Sequence, residues 1–142
     1  MTMENSRMPT EQVKKLRQRI SRLQKILDLV RQMFGLQTKI EKLQWEVTAR
    51  NIAKIHGIDE DIFTAVLYCE SGMNPKAVNR NKNGTTDYGI CQFNDYWYKD
   101  IISPEVALNQ PTVALNIMAK MWKKGRQSDW ICYRNKRYIS WL

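Results

Sequence analysis

The stretch "CESGMNPKAVNRNKNGTTDYGICQFNDYWY", which runs from Cys69 to Tyr98, decides the fold of this chain. Apolar residues before it recur at helical spacing, so Glu70 is predicted to lie at the end of an apolar helix. The residues that follow are rich in Asn, Gly and Thr and then become β-prone, which predicts a small hairpin or an irregular loop. Asp87, seventeen positions after Glu70, is expected on a turn of that segment.

Glu70 and Asp87 would then occupy unlike environments. Glu70 shares a helix face with Phe63 and Leu67, and partial desolvation there is expected to raise its pKa and keep its proton near neutral pH. Asp87 lies between Thr and Tyr on a polar turn and is expected to stay ionised. Two such carboxyl groups are typical of glycoside cleavage, although Glu70 could also cap its helix or pair with Arg80 while Asp87 holds a turn.

The composition indicates one folded domain with an appendage. The chain has 142 residues, of which 43% are hydrophobic, enough for a core. A formal net charge of +9 is consistent with an anionic partner, although solubility alone would also explain it. No membrane span is predicted because no long apolar run occurs. The opening "MTMENSRMPTEQVKKL" does not have the pattern of a signal peptide.

Residues 10–34 are predicted to form a helix with heptad spacing. Its apolar positions follow alternating steps of three and four: Val13, Leu16, Ile20, Leu23, Leu27, Val30 and Phe34. At Gly35 the spacing shifts by one residue, which predicts either a kink or the turn of a helical hairpin. We expect residues 1–45 to be a helical, coiled-coil-like segment. Residues 10–47 would associate with another copy, with a partner helix or with the following domain.

From Trp45 onward the pattern changes to shorter helices. The segment "WEVTARNIAKIHG" is helical with Gly57 as its stop, and Asp59 can cap a helix that ends near Gly72. Further short helices follow the hairpin. The predicted fold class is mainly α with a small β-hairpin, preceded by the N-terminal helical segment.

The spacing of the cysteines does not indicate a disulfide scaffold or a metal site. Cys69, Cys91 and Cys132 form no CxxC pair, and His56 is the only histidine, so a zinc site, another metal site and a disulfide scaffold are all disfavoured. Each cysteine is expected to be a small core residue. A thiol nucleophile paired with His56 is disfavoured because no third orienting group is evident. No cofactor is predicted.

Two strings resemble the lysozyme superfamily. "ARNIAKIHGIDEDIFTAVLYCESGMNPKAV" resembles the start of a soluble lytic transglycosylase (SLT) domain, and "NRNKNGTTDYGICQFND" resembles the active-site hairpin of animal-type lysozymes and related bacterial and phage enzymes. The resemblance covers about residues 46–142. It implies an α+β lysozyme-like transglycosylase domain over residues 46–142.

The resemblance also implies roles for the two carboxyl groups and their neighbours. Glu70 would be the catalytic acid, and Asp87 the second carboxylate of a lysozyme-type site. Ser71 would orient the Glu70 carboxyl group or the N-acetyl group of the substrate. Family members commonly bring a tyrosine from a later helix to the catalytic glutamate; Tyr133 is the first candidate and Tyr138 the second.

The remaining implied roles concern substrate binding. "GICQ" stands where transglycosylases usually carry Gly-Leu-Met-Gln, so Gln92 is expected to line the cleft. Asn94 and Trp97 match substrate-side positions of the hairpin, and an aromatic ring such as Trp97 can stack against sugar C–H faces. The disulfides of animal-type lysozymes are not matched.

The expected function is cleavage of the β-1,4 bond between N-acetylmuramic acid and N-acetylglucosamine in peptidoglycan. In the transglycosylase version Glu70 acts alone as acid and base, and an anhydro-sugar results. In the alternative muramidase version Asp87 assists and water completes the reaction. A non-catalytic glycan-binding protein is a further alternative. A nucleic-acid partner is disfavoured because no recognised motif accompanies the charge. Such a substrate implies action outside the cytoplasm, in the periplasm, cell wall or phage particle.

Overall fold

The protein is described from a computed structural model, which covers residues 10–142. The α-helices are α1 (Thr10–His56), α2 (Glu60–Ser71), α3 (Pro104–Asn109), α4 (Pro111–Lys123) and α5 (Ile131–Arg134). The strands are β1 (Val78–Arg80), β2 (Thr86–Tyr88) and β3 (Phe93–Asn94), and two 3-10 helices span Gln127–Asp129 and Arg137–Trp141. None of the helices within residues 10–142 is long and apolar enough to cross a membrane.

Helix α1 is continuous through Gly35, so of the two alternatives predicted at this glycine the helical-hairpin turn is wrong. The change in heptad phase alters which face of the helix is apolar, but it does not interrupt the helix. A single glycine in a helix costs only about 1 kcal/mol relative to alanine, which the flanking leucine-, lysine- and glutamine-rich turns can offset. Residues 10–56 therefore form one long helix.

The apolar stripe of α1 is exposed along its N-terminal part. The residues concerned include Leu16, Ile20, Leu23, Leu27, Val30 and Phe34. The chain forms two compact units, Met1–Ile40 and Glu41–Leu142. The buried residues of α1 are Ala49, Ile52 and Ala53, all of which belong to the second unit. Association through residues 10–47 stays a prediction, as does the predicted domain boundary after residue 45.

We predict that a shortened chain beginning at Glu41 keeps the fold of the second unit. The physical reason is that the core includes α1 residues only from Ala49 onward, with Trp45 packed against it. The expected result is an unchanged far-UV circular dichroism signal per residue for the second unit and cooperative thermal unfolding. A shortened chain that cannot fold would show that residues 10–40 stabilise the domain.

Helix α2 begins and ends where its sequence indicates. The Asp59 side chain accepts a hydrogen bond from the Ile62 backbone N–H at 2.9 Å, which caps the N-terminus. At the other end Gly72 has φ +63° and its N–H donates to the Tyr68 carbonyl oxygen, a left-handed cap that glycine favours. These two caps fix the length of the helix and leave Glu70 in its last turn.

The hairpin is a three-stranded antiparallel sheet of order β1-β2-β3. Asp87 lies opposite Asn79 on β1 and opposite Asn94 on β3. Asp87 is therefore on the central strand, and its expected place on a turn is wrong. The Asn- and Gly-rich residues before Asp87 form the connection between β1 and β2. The sequence analysis therefore placed this turn a few residues too far along the chain.

The core of the second unit lies between α2, α4 and the aromatic C-terminal region. Phe63 of α2 meets Trp122 of α4 edge-on, with ring centroids 5.1 Å apart. Trp130 is stacked near Tyr98, and its indole N–H donates to the Cys91 carbonyl oxygen at 2.8 Å. The predicted fold class, mainly α with a small β element in a lysozyme-like α+β arrangement, is confirmed.

Candidate active site

Glu70 lies in the last turn of α2 with its side chain largely buried. Burial raises the pKa of its carboxyl group because the charged form loses hydration, and the negative charge of Asp87 raises it further. The backbone N–H of Cys132 donates to Glu70 Oε1 at 2.9 Å and opposes this shift, as do Arg137 and Arg134. The carboxyl group thus holds its proton to higher pH than an exposed glutamate does, as a general acid requires.

Both carboxylate oxygens of Asp87 accept hydrogen bonds from asparagine side chains. Asn94 Nδ2 donates to Oδ1 at 2.7 Å, and Asn81 Nδ2 donates to Oδ2 at 2.9 Å. Asn81 and Asn94 also contact Thr85 Oγ1, at 3.2 and 2.9 Å. Asp87 is therefore the centre of a polar network that joins the β1–β2 connection to β3.

Glu70 and Asp87 line one open cavity of about 520 Å³. Its other lining residues are Asn81, Asn83, Thr85, Gln92, Asn94, Trp97, Tyr98, Arg126, Asp129, Trp130, Ile131 and Arg134. The lining mixes amides, carboxyl groups, guanidinium groups and aromatic rings, a combination suited to a polar ligand with apolar faces. In the described part of the chain no group of three or more His, Cys, Asp or Glu side chains could hold a metal ion.

Asn94 and Trp97 both line this cleft, as the sequence predicts. The Asn94 side-chain oxygen accepts hydrogen bonds from the backbone N–H groups of Tyr96 and Trp97, at 3.1 and 3.3 Å. The Trp97 side chain is 71% exposed and meets the Tyr96 ring edge-on at 5.0 Å. An exposed indole held at a cleft by its neighbours is a surface on which a sugar ring can stack.

Gln92 also lines the cleft, but its amide group serves the hairpin. Its Oε1 accepts from Asn79 Nδ2 at 2.5 Å, and its Nε2 donates to the Gly89 carbonyl oxygen at 2.7 Å. Ser71 does not line the cleft: its hydroxyl donates to the carbonyl oxygens of Leu67 and Ile90, at 3.1 and 2.8 Å. Ser71 thus ties the end of α2 to the connection between β2 and β3, and its hydroxyl group is hydrogen-bonded to backbone carbonyl oxygens.

Tyr133 is not among the residues that line the Glu70 cleft. It lines a separate cavity of about 320 Å³, where its ring stacks on Tyr138 at 5.5 Å and meets Trp122 edge-on. The tyrosine in the cleft is Tyr98, which sequence reasoning missed. Burial raises the pKa of Tyr98 to about 12, with nearby carboxylates including Glu70 adding to the shift.

Sequence reasoning also missed the cleft wall formed by residues 126–134. Arg126 and Asp129 form an ion pair at 2.6 Å, and Trp130 and Arg134 line the cleft beside them. The basic residues of this region were visible in the sequence, but their charge indicated a general anionic attraction rather than a cleft. The local signal in this segment was the three-residue spacing of Arg126 and Asp129, which suits an ion pair across one helical turn.

One expectation about the cysteines is wrong. Cys69 and Cys132 form a disulfide bond, although disulfide pairing was disfavoured from the sequence. Cys132 and the free Cys91 are buried in the core, and Cys69 packs against it. The two cysteines are 63 residues apart in the sequence, so no local pattern predicts that they pair. His56 Nε2 lies 3.1 Å from Asn116 Oδ1 and not beside a thiol, so the disfavoured thiol-nucleophile pair has no structural basis.

The chain is similar in sequence to known proteins. Residues 48–132, more than half of the chain, match the family model described as the transglycosylase SLT domain, and the chain therefore belongs to that family. It is 36% identical over 70 residues to Protein IpgF of Shigella flexneri, covering 46% of each chain. It is 29% identical over 72 residues to Invasion protein IagB of Salmonella typhimurium, covering 48% of this chain and 45% of that protein.

A shorter match joins the chain to a lysozyme. It is 58% identical over 31 residues to Lysozyme C-1 of Anas platyrhynchos, covering 22% of this chain and 21% of that protein. The chain spans less than half the length of the first two relatives.

Proposed function

We propose that this transglycosylase-family chain cleaves the β-1,4 bond between N-acetylmuramic acid and N-acetylglucosamine in peptidoglycan. The observation that carries the proposal is Glu70: a largely buried carboxyl group with a raised pKa that lines a 520 Å³ cleft. Peptidoglycan lies outside the cytoplasmic membrane, so the proposed place of action is extracytoplasmic.

In the proposed reaction Glu70 acts first as an acid and then as a base. Its carboxyl proton passes to the glycosidic oxygen as the bond from that oxygen to C1 of the muramic sugar breaks. The resulting Glu70 carboxylate then removes the proton from the C6 hydroxyl of the same sugar while its oxygen bonds to C1. The products are a shortened glycan and a 1,6-anhydro end, and Glu70 regains its proton.

The surroundings of Asp87 favour this one-carboxylate mechanism. Both Asp87 oxygens are engaged by amide donors of Asn81 and Asn94, so the carboxylate is committed to holding the sheet. The N-acetyl group of the substrate can stabilise positive charge at C1 in its place. The alternative, a muramidase in which Asp87 assists and water attacks, is supported by the negative charge that Asp87 places near Glu70.

We predict that Asp87→Asn lowers the rate by roughly tenfold or less, through loosened geometry rather than loss of a reacting group. The introduced amide cannot accept both hydrogen bonds, since its nitrogen opposes one asparagine donor. The measurement is the initial rate of muropeptide release from purified peptidoglycan. Asn81→Ala is the matched control, because it removes one donor and keeps the charge.

A loss of roughly 10²-fold or more in Asp87→Asn, with Asn81→Ala close to wild type, would favour the muramidase. The transglycosylase proposal expects the two variants to lose similar activity.

The experiment that tests the proposed function is digestion of purified peptidoglycan by the full chain. Release of soluble disaccharide-peptides, absent with Glu70→Gln, is the expected result. Binding to peptidoglycan without any release of fragments would instead favour the glycan-binding alternative.

A further inference from the structure

The Cys69–Cys132 disulfide lies directly beside Glu70. Cys69 is the residue before Glu70 in α2, and Cys132 is in α5. The backbone N–H of Cys132 donates to Glu70 Oε1 at 2.9 Å. The disulfide bond and this hydrogen bond therefore both join the end of α2 to α5. The disulfide bond limits how far the hydrogen-bonded groups can move apart.

We propose that the Cys69–Cys132 disulfide is a positioning element for Glu70, acting through the Cys132 backbone N–H, so that the chain cleaves its substrate efficiently only when this disulfide is formed. The proposal rests on the proposed function of Glu70 as the acid. Neither cysteine contacts substrate in this role. Both act by fixing the donor that orients the carboxyl group.

Orientation matters because a carboxylic acid transfers its proton from one oxygen. With Oε1 engaged as the acceptor of the Cys132 N–H, Oε2 is left to carry the transferable proton. A displacement of about 1 Å in such a group can reduce a rate by up to 10²-fold. A donor fixed by a covalent bond keeps the carboxyl group in one orientation without using a second charged side chain.

Other contacts hold the C-terminal region in the absence of the disulfide. The Trp130 indole N–H donates to the Cys91 carbonyl oxygen, and the Trp141 ring stacks on Tyr68 at 5.4 Å. These contacts flank Cys132 on both sides in the sequence. Opening the disulfide is therefore expected to loosen the Cys132 N–H while the fold of the domain persists.

Loss of the Cys132 N–H donor is expected to change the pKa of Glu70 in one direction, upward. Burial is the largest cause that raises the pKa of Glu70, and the Cys132 N–H is the largest cause that lowers it. The other groups that face Glu70 electrostatically are Asp87, Arg134, Arg137, Cys91 and Tyr98. Cys91 and Tyr98 are uncharged at neutral pH because their pKa values are raised, and Asp87 lies on β2, outside the loosened region. Any movement of Arg134 and Arg137 away from Glu70 would remove a further cause that lowers its pKa, so the pKa of Glu70 is expected to rise.

The redox step is a two-electron thiol–disulfide exchange. A dithiol reductant breaks the Sγ–Sγ bond, each cysteine sulfur receives one electron and one proton, and the dithiol becomes a cyclic disulfide. An external disulfide oxidant reverses the step by accepting the two electrons and two protons. Cys132 is only 2% exposed while Cys69 is half-buried, so exchange is expected to begin at Cys69.

The test compares the full chain before and after treatment with dithiothreitol, at a temperature at which both forms are folded by near-UV circular dichroism. We expect reduction to lower kcat/KM about tenfold. We also expect the alkaline limb of its pH profile to move to higher pH, and reoxidation to restore both. The Cys69→Ser/Cys132→Ser double variant should behave like the reduced chain and should not respond to dithiothreitol.

Trp141→Ala is the matched control, since it removes another contact between α2 and the C-terminal region and leaves the disulfide in place. It is expected to lower stability without moving the alkaline limb. An equal shift of the limb in this variant would assign the effect to general loosening and overturn the proposal, as would an unchanged rate and limb after reduction.

A second readout does not depend on activity. Titration of ¹³C-labelled glutamate carboxyl groups by NMR, with Glu70 assigned from Glu70→Gln, should give a higher Glu70 pKa in the reduced chain. A Glu70 titration that is identical in the two redox states would overturn this proposal even if peptidoglycan is cleaved. A raised value in a chain that cleaves nothing would contradict the proposed function alone.

Discussion

Glu70→Gln is expected to reduce the release of muropeptides from purified peptidoglycan by roughly 10³-fold or more, to the background of the assay. The substitution keeps the shape of the side chain and removes its titratable proton, so the glycosidic oxygen loses its acid. Glutamine Oε1 can still accept the Cys132 N–H, which preserves the contact seen at 2.9 Å. The measurement is the initial rate of fragment release, with peptidoglycan binding recorded in parallel.

The same variant is expected to be more stable than wild type at neutral pH. The folded-state pKa of Glu70 is raised, chiefly by burial, so the folded chain favours the protonated form. Its contribution to the free energy of unfolding is fully present below the ordinary carboxyl pKa and is lost as the pH rises through the folded-state pKa. Thermal unfolding should therefore show a higher Tm for Glu70→Gln near pH 7 and no such gain in acid. Wild-type-like turnover in a folded Glu70→Gln protein would contradict the enzymatic account.

Gly89→Ala is expected to destabilise the domain by about 3 kcal/mol or more. Gly89 has φ +74°, which strains any L side chain, and an added Cβ would lie only 2.2 Å from the Ala107 carbonyl oxygen. That oxygen belongs to the backbone of α3, so relief requires movement of either α3 or the sheet. Gly89 also accepts hydrogen bonds from Gln92 through its carbonyl group, so the change should reach the cleft. The measurement is urea unfolding at neutral pH.

Gly84→Ala is the control for this prediction. Gly84 has a similar φ of +87°, but an added Cβ would meet nothing within 4 Å. The control should cost only about 1–2 kcal/mol, from backbone strain. Equal losses in the two variants would show that the close approach of Gly89 to α3 does not limit stability.

The features of the site that could be predicted from sequence are those that depend on residues close together in the chain. The Asp59 cap and the Gly72 stop set the ends of α2, so the position of Glu70 in the last turn followed from spacing alone. Trp97 and Asn94 were predicted because the contiguous string that also holds Asp87 resembles the lysozyme-type hairpin. Each of these inferences used residues within about one helix or one hairpin of each other.

The parts that could not be predicted depend on contacts between distant segments. The donor to Glu70 is Cys132, 62 residues away, and the disulfide to Cys69 spans 63. Tyr133 lines a separate cavity with Trp122, a placement that depends on packing between α4 and α5 and not on a local sequence pattern. Tyr98 was overlooked because its role depends on packing against Trp130, which no sequence period reveals.

The alternatives at Gly35 were left open for a different physical reason. A glycine and a shift of heptad phase are both local signals, and together they are compatible with a kink in one helix or with a helical-hairpin turn. Helix α1 nevertheless runs unbroken from Thr10 to His56. The cost of one glycine is small beside the hydrogen bonds of the turns around it, so a phase shift alone does not end a helix.

Mass spectrometry of the fragments released from purified peptidoglycan by the full, oxidised chain tests the central claim most directly. Anhydro and reducing ends differ by one water, so each product is identified by its mass. The mechanism in which Glu70 acts alone as acid and base predicts 1,6-anhydro ends on the released muropeptides, and none with Glu70→Gln. Fragments that carry only reducing ends would contradict it and would identify the chain as a muramidase in which water attacks.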